Sequence, residues 1–214
     1  MNIHSLYGLA RRFRAKRFQH FCAKSRIAPT DLVLDIGGYY WNWTEHPPMG
    51  KAIRIINLDS RHVFDKAQYP RHNLDVACAD GCRLPYPDRS YDIVYSNSVI
   101  EHVGSYEKQR AFASEARRVG KRLWIQTPAY EFFIEPHFLA PFVHWAPRNL
   151  RVKLIRFFTL WGWLEKPSPQ RIQETVDEIR LLRYREMQEL FPDCQILRER
   201  FLGVLTKSYI AFRE

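Results

Sequence analysis

Much of what this sequence lacks is informative. No stretch reaches the ~20 apolar residues that a membrane span requires; the nearest run, Leu154 to Leu164, is too short and carries Arg156. Cysteine is scarce. Cys22, Cys78, Cys82 and Cys194 form no C-x-x-C pair and have no histidines at zinc spacing. They read as reduced thiols, which excludes a disulfide framework or a zinc finger. The N-terminus has no uninterrupted apolar segment behind its basic residues, so it does not read as a secretory signal. An organelle-targeting peptide has only the Arg-rich start in its favour, and the expected location is cytoplasmic. There are no repeats and no low-complexity tracts. Acidic residues are missing before Asp31, which leaves Arg11, Arg12, Arg14, Lys16, Arg17, Lys24 and Arg26 uncompensated.

What is present suits one folded α/β unit. The 214 residues are 46% hydrophobic and 14% aromatic, too rich in core-formers for disorder. The formal charge of +10, with a second basic cluster at Arg148, Arg151, Lys153 and Arg156, suits an anionic partner such as nucleic acid, lipid headgroups or an acidic substrate. Residues 5–24 read as a basic amphipathic helix with Leu6, Leu9, Ala10, Phe13 and Phe21 on one face. It either packs on the domain edge or meets a membrane surface or partner. Residues 1–29 are therefore set apart from a domain over 30–214.

From Thr30 strands and helices alternate, the pattern of a mostly parallel sheet covered on both faces. Asp31–Ile36, Ala52–Leu58, Val76–Ala79, Tyr91–Tyr95 and Leu123–Gln126 read as five strands. Tyr106–Val119 reads as a surface helix closed by Gly120 as a C-cap glycine. About residues 129–169 the regularity stops, and a segment dense in Phe, Trp, His and Pro reads as an inserted helical lid. A helix over Tyr184–Leu190 follows, then strands over Gln195–Phe201 and Val204–Phe212 turning at Gly203. So short a connection implies an antiparallel hairpin.

Ligands of open α/β sheets bind beyond the carboxyl ends of the strands, and the chemistry-bearing residues fall there. Gly37 and Gly38 let the backbone turn and approach a ligand without Cβ interference. Asp59 ends the second strand, where a carboxylate can accept both ribose hydroxyls of a nucleoside. Asp80 ends the third, placed to accept from an exocyclic purine amine. A dinucleotide-dehydrogenase site requires G-x-G-x-x-G, and Gly37-Gly38-Tyr39-Tyr40-Trp41-Asn42 does not supply it.

Over roughly Thr30 to Phe212 the chain resembles the class I S-adenosylmethionine-dependent methyltransferases of the small-molecule branch. Asp35-Ile36-Gly37-Gly38 is similar to the family's first motif and Asn57-Leu58-Asp59 to its second. The block from Asp80-Gly81-Cys82 through Ser96-Asn97-Ser98-Val99-Ile100-Glu101-His102-Val103 is similar to its third and fourth. The resemblance implies a Rossmann-like, seven-stranded, mostly parallel sheet with a C-terminal antiparallel hairpin and helices on both faces. It implies S-adenosylmethionine as cofactor, with Asp59 on the ribose, Asp80 and the Cys82 backbone at the adenine, Gly37 at the methionine portion, and Asp35, Gly38 and Gly81 also in the cofactor site. Ser96 and Asn97 would line the reactive end. Two departures stand out: aromatic residues follow Gly38, and His46-Pro47-Pro48 prevents a long first helix. The aromatics are expected to pack against the cofactor. Some relatives acting on quinone precursors hold a metal through an acid three positions before the glutamate. Ser98 stands there, so no metal is carried over.

If the acceptor is a hydroxyl, a base helps remove its proton. His102 is one candidate, beside Glu101. The other is His137 with Glu135, the pair lying just beyond the fifth strand, where Phe132, Phe133 and Trp145 would shape an apolar pocket. His144 reads as a packing residue. The leading expectation is an enzyme that methylates an oxygen or nitrogen of a small or lipid-like acceptor. A nucleic-acid methyltransferase has only the charge behind it, since Ser96-Asn97-Ser98-Val99 lacks the Asn/Asp-Pro-Pro-aromatic motif of base amine methylation. A non-catalytic scaffold binding a membrane or protein through the basic helix has only the altered glycine turn behind it.

Overall fold

The computed structural model describes residues 15–59 and 68–214. Residues 5–14 of the expected N-terminal helix lie outside them; residues 15–25 are helical (α1). The strands are β1 (Leu32–Ile36), β2 (Ala52–Asn57), β3 (Leu74–Cys78), β4 (Tyr91–Asn97), β5 (Gly120–Pro128), β8 (Gln195–Phe201) and β9 (Leu205–Arg213). A separate small ribbon pairs β6 (Ile134–Glu135) with β7 (Ala140–Pro141). The main sheet runs β3-β2-β1-β4-β5-β9-β8. β9 pairs antiparallel with both β5 and β8, and the remaining pairings are parallel. The class I architecture read from the sequence is the one that forms.

Central parallel strands are buried on both faces and need apolar residues at consecutive positions. In β1, Val33, Leu34 and Ile36 are all core residues. Alternation along the strand divides them between two cores. Leu34 and Ile36 join Ile56, Val94 and Ile125 beneath α3 (Tyr106–Val119) and α7 (Tyr184–Leu190). Val33 joins Ile53, Ile93 and Trp124 beneath α1, which contributes Phe18 and Phe21. The apolar side of α1 is thus spent on the sheet: the Phe21 ring lies 4.4 Å from that of Tyr95 and 5.6 Å from that of Trp124.

The ends of β2, β3, β4 and β9 differ from the sequence reading by one or two residues, and those of β1 and β5 differ for identifiable physical reasons. Asp31 precedes β1, because its carboxylate accepts from the Ala28 amide and pairs with Arg122, closing a turn. β5 is longer at both ends than Leu123–Gln126. Lys121 and Arg122 hide its start from a hydropathy reading, yet both find acids, Asp92 and Asp31. Gly120 follows α3 directly, but in extended rather than left-handed backbone. Its role is close packing: a Cβ there would fall 2.7 Å from Val94 Cγ2 and 2.8 Å from Leu123 Cδ2.

Between β1 and β2 the one helix is α2 (Trp41–Thr44), four residues long, as the following prolines require. Between β5 and α7 lie the small ribbon, α4 (Arg148–Phe158), α5 (Leu160–Glu165) and α6 (Pro169–Glu178). They carry a third core of Phe138, Ile155, Ile172, Val176 and Leu181. No described helix is long and apolar enough to cross a membrane.

Candidate active site

β1 lies between β2 and β4, so the chain leaves its C-terminal end at the point where strand order reverses. A cavity of about 1020 Å³ opens there. Asp35, Gly37, Gly38, Asp59, Asp80, Gly81 and Asn97 line one end, and His102 and His137 stand on its wall. Glu135 and two residues expected at the cofactor are not in that wall. Ser96 is buried, its hydroxyl donating to the Ile36 carbonyl at 2.9 Å. Cys82 lies behind Asp80, its amide donating to Asp80 Oδ1 at 2.8 Å and its thiol to the Lys108 carbonyl at 3.4 Å.

The turn after β1 leaves no room for side chains. Gly37 has φ +73°, in the left-handed region, and a Cβ there would meet Val99 at 2.5 Å. A Cβ on Gly38 would sit 1.8 Å from Asp35 Oδ2. That carboxylate is fully buried; Oδ2 accepts from Trp43 Nε1 at 2.7 Å, and Oδ1 has no partner among the described residues. Burial pushes the Asp35 carboxyl up to about 7, partly offset by the Trp43 hydrogen bond. Tyr39 and Trp41 stack at 5.6 Å and both face the cavity, so the aromatic continuation of the glycine turn forms part of the wall.

Arg17 carried no site signal in the sequence beyond its charge. It reaches the cavity from α1, donating to Asn97 Oδ1 at 2.9 Å, Gln126 Oε1 at 3.0 Å and Glu199 at 3.0 Å. Only the tertiary packing of α1 against β4, β5 and β8 reveals it.

At the other end the two candidate bases come together. His137 Nδ1 lies 2.6 Å from Glu135 Oε1, and its Nε2 lies 3.1 Å from His102 Nε2. His102 Nδ1 in turn faces Glu178 at 3.2 Å. Glu135 is fully buried, with Oε2 accepting from the Phe138 amide at 2.7 Å. Burial lowers the proton affinity of His137. The hydrogen bond and charge of Glu135, with the charges of Glu101 and Glu178, outweigh that and hold the imidazole above its ordinary value. His144 is buried too; its Nε2 meets the Tyr130 carbonyl at 2.9 Å, and burial lowers its pKa. Of the expected aromatic wall, Phe132 lines the cavity and Phe133 and Trp145 do not. Val103, Leu139, Trp161 and Leu164 complete its apolar side.

Residues 34–123 match the methyltransferase-domain family. None of the curated proteins compared matches the chain. Among solved structures the chain is similar to a magnesium protoporphyrin IX methyltransferase from Synechocystis PCC 6803 with bound SAH. Identity is 13%, TM-score 0.57, with 95% of this chain and 83% of that chain covered. A YcgJ protein from Bacillus subtilis is 16% identical at TM-score 0.54, covering 86% of this chain and 70% of its own. A SAM dependent methyltransferase from Aquifex aeolicus is 14% identical at TM-score 0.51, covering 91% and 87%. At such identities these structures speak to the fold.

Proposed function

We propose that this chain, a SAM-dependent methyltransferase by its match to the methyltransferase-domain family over residues 34–123, methylates an oxygen or nitrogen of a small or lipid-like acceptor. One observation carries this reading: a single cavity joins the glycine–aspartate strand ends to the histidine pair. The cofactor, S-adenosylmethionine, supplies an electrophilic methyl group on a sulfonium. The residues present fit it. Asp35 offers an orphaned buried carboxylate oxygen toward a cationic ligand, and Gly37 and Gly38 form a cradle that any Cβ would fill. Asp59 is assigned to the ribose hydroxyls and Asp80 to the adenine edge, with Gly81 clearing space beside it. A Cβ on Gly81 would meet Ile36 and Phe112 at 2.9 Å.

The apolar side formed by Phe132, Leu139, Trp161 and Leu164 holds the acceptor and excludes water, leaving alignment as the enzyme's main task. Bound in the same cavity, S-adenosylmethionine would supply the methyl group to the acceptor heteroatom, and His137 Nε2 would take the heteroatom's proton. Glu135 fixes the tautomer and steadies the imidazolium that forms.

Isotope-labelled methyl donor incubated with the protein and a cell extract, followed by mass spectrometry, identifies the acceptor. Calorimetric titration with S-adenosylmethionine tests the first half alone, and no binding at millimolar cofactor would sink the proposal. Replacing Asp59 by Ala is expected to weaken binding by ~1.5–3 kcal/mol, the range of a hydrogen bond to a charged group. An unchanged affinity would remove Asp59 from the site.

A further inference from the structure

The two histidines of the cavity wall are tied from behind. His137 Nδ1 meets Glu135 at 2.6 Å, and His102 Nδ1 meets Glu178 at 3.2 Å. In the tautomer with a proton on each Nδ1, each ring turns a lone pair on Nε2 toward the other. Those two Nε2 atoms are 3.1 Å apart, where two lone pairs repel unless something positive accepts them both. Carboxylate–imidazole pairs of this kind are how proteins orient metal-ligating histidines.

A third donor comes from the other side. Glu101 is fully buried; Oε2 accepts from Thr127 Oγ1 at 3.0 Å, and Oε1 has no partner among the described residues. One ligand atom from each of Glu101, His102 and His137 lies within 4.8 Å of the others. From this juxtaposition we propose that Glu101, His102 and His137 form a binding site for a divalent transition-metal ion, with Glu135 and Glu178 as its outer carboxylates.

Charge separates this from the alternative of one proton shared by the rings. The cluster contains three carboxylates around two imidazoles. A shared proton leaves Glu101 Oε1 without a partner among the described residues; a dication adds positive charge among the carboxylates and takes that oxygen as ligand. Two imidazoles and one carboxylate suit Zn²⁺, Fe²⁺ or Co²⁺, whereas Mg²⁺ and Ca²⁺ favour all-oxygen sets. The ligand set is drawn from two loops, since His137 enters from the segment after β5 and stands opposite the β4 loop. Ser98 takes no part: its hydroxyl donates to Gln126 Oε1 at 3.0 Å.

The inference rests on the proposed acceptor site and changes what the histidines do in it. With the ion bound, both Nε2 atoms are ligands, and positions left on the ion face the cavity that His102 and His137 line. They would take an oxygen or nitrogen of the acceptor, which makes a metal-chelating acceptor, such as a hydroxyl beside a second donor, the favoured class.

The test uses the purified full chain, stripped with a chelator and titrated with Co²⁺ alone. Visible d–d absorption and elemental analysis after desalting give coordination and stoichiometry. One cobalt per chain, displaced by Zn²⁺, is expected. His102→Ala and His137→Ala should each abolish the band, and Glu135→Gln should lower affinity about 10–100-fold. Asp59→Ala should weaken S-adenosylmethionine binding and leave cobalt uptake unchanged, so the two proposals fail separately. Circular dichroism establishes that each variant is folded, with His137→Gln replacing His137→Ala should the latter unfold. Folded wild-type protein that takes up no stoichiometric cobalt overturns the site, as does uptake unchanged by the loss of either histidine.

Discussion

Asp35 shows how one residue can serve a ligand at the expense of the fold. Its folded-state pKa of about 7 lies above the unfolded value near 3.8. The folded chain therefore holds this proton more tightly between those limits. Stability from this group is highest at low pH, falls as pH rises from about 4 to 7, and is flat above that. The loss is at most about 4 kcal/mol at ~1.4 kcal/mol per pKa unit. Asp35→Asn, followed by urea denaturation at pH 5 and pH 8, should flatten this dependence and be more stable than wild type at pH 8. An unchanged slope would show that Asp35 is already ionised at low pH. The sequence announced Asp59 and Asp80 because each ends a β-rich run, a purely local property, and Asp35 through its place in the glycine motif. It could announce His102 and His137 only as rivals. Their meeting depends on β4 and β5 being neighbours, so that the loops leaving them share one wall. Arg17 and Glu178 had no local mark at all, since each reaches the site from a helix whose docking is decided by packing.

At the scale of elements, α1 and the glycine turn are the informative cases. Fully buried Phe21 packs among Tyr95, Trp43 and Trp124. Phe21→Ala should cost ~3–5 kcal/mol, measured by denaturant unfolding; a cost below ~1 kcal/mol would mean that α1 does not dock on the sheet. The same helix was legible as amphipathic, but periodicity cannot say whether a sheet or a membrane receives the apolar face. The turn between β1 and α2 was legible as a departure from the family pattern. Its outcome follows from Trp43, which donates to Asp35 and fills the core that a longer helix would otherwise cover. Gly38→Ala is expected to abolish cofactor binding, because its Cβ and the Asp35 carboxylate cannot share the space. Retained binding in an equilibrium titration would contradict that geometry.

For the whole molecule, cofactor binding and folding are linked. A ligand at a hundred times its dissociation constant stabilises the native state by about 2.7 kcal/mol. For a chain of this length that raises the thermal midpoint by about 5–10 °C, readable by differential scanning fluorimetry. The shift should fall to between about a half and a tenth in Asp59→Ala; a shift of equal size there would place the ligand elsewhere. The α/β alternation and the closing hairpin were visible from the sequence because strand and helix periods differ. The inserted segment was visible as an aromatic helical lid over about residues 129–169, but its core was not, since it joins Phe138 to Leu181 through residues spaced by no single period.

The position of β9 has a consequence for the order of assembly. Residues 205–213 lie between β5 and β8, so the last strand of the sheet is an interior one. Until it arrives, β5 and β8 each present an open hydrogen-bonding edge, and Trp124 and Ile125 lack the Phe212 and Ala211 that pair with them. Such an intermediate offers two sticky edges to neighbouring chains. The sheet closes like a seam sewn from the inside, and shortening the chain by that one strand would open two edges rather than trim one.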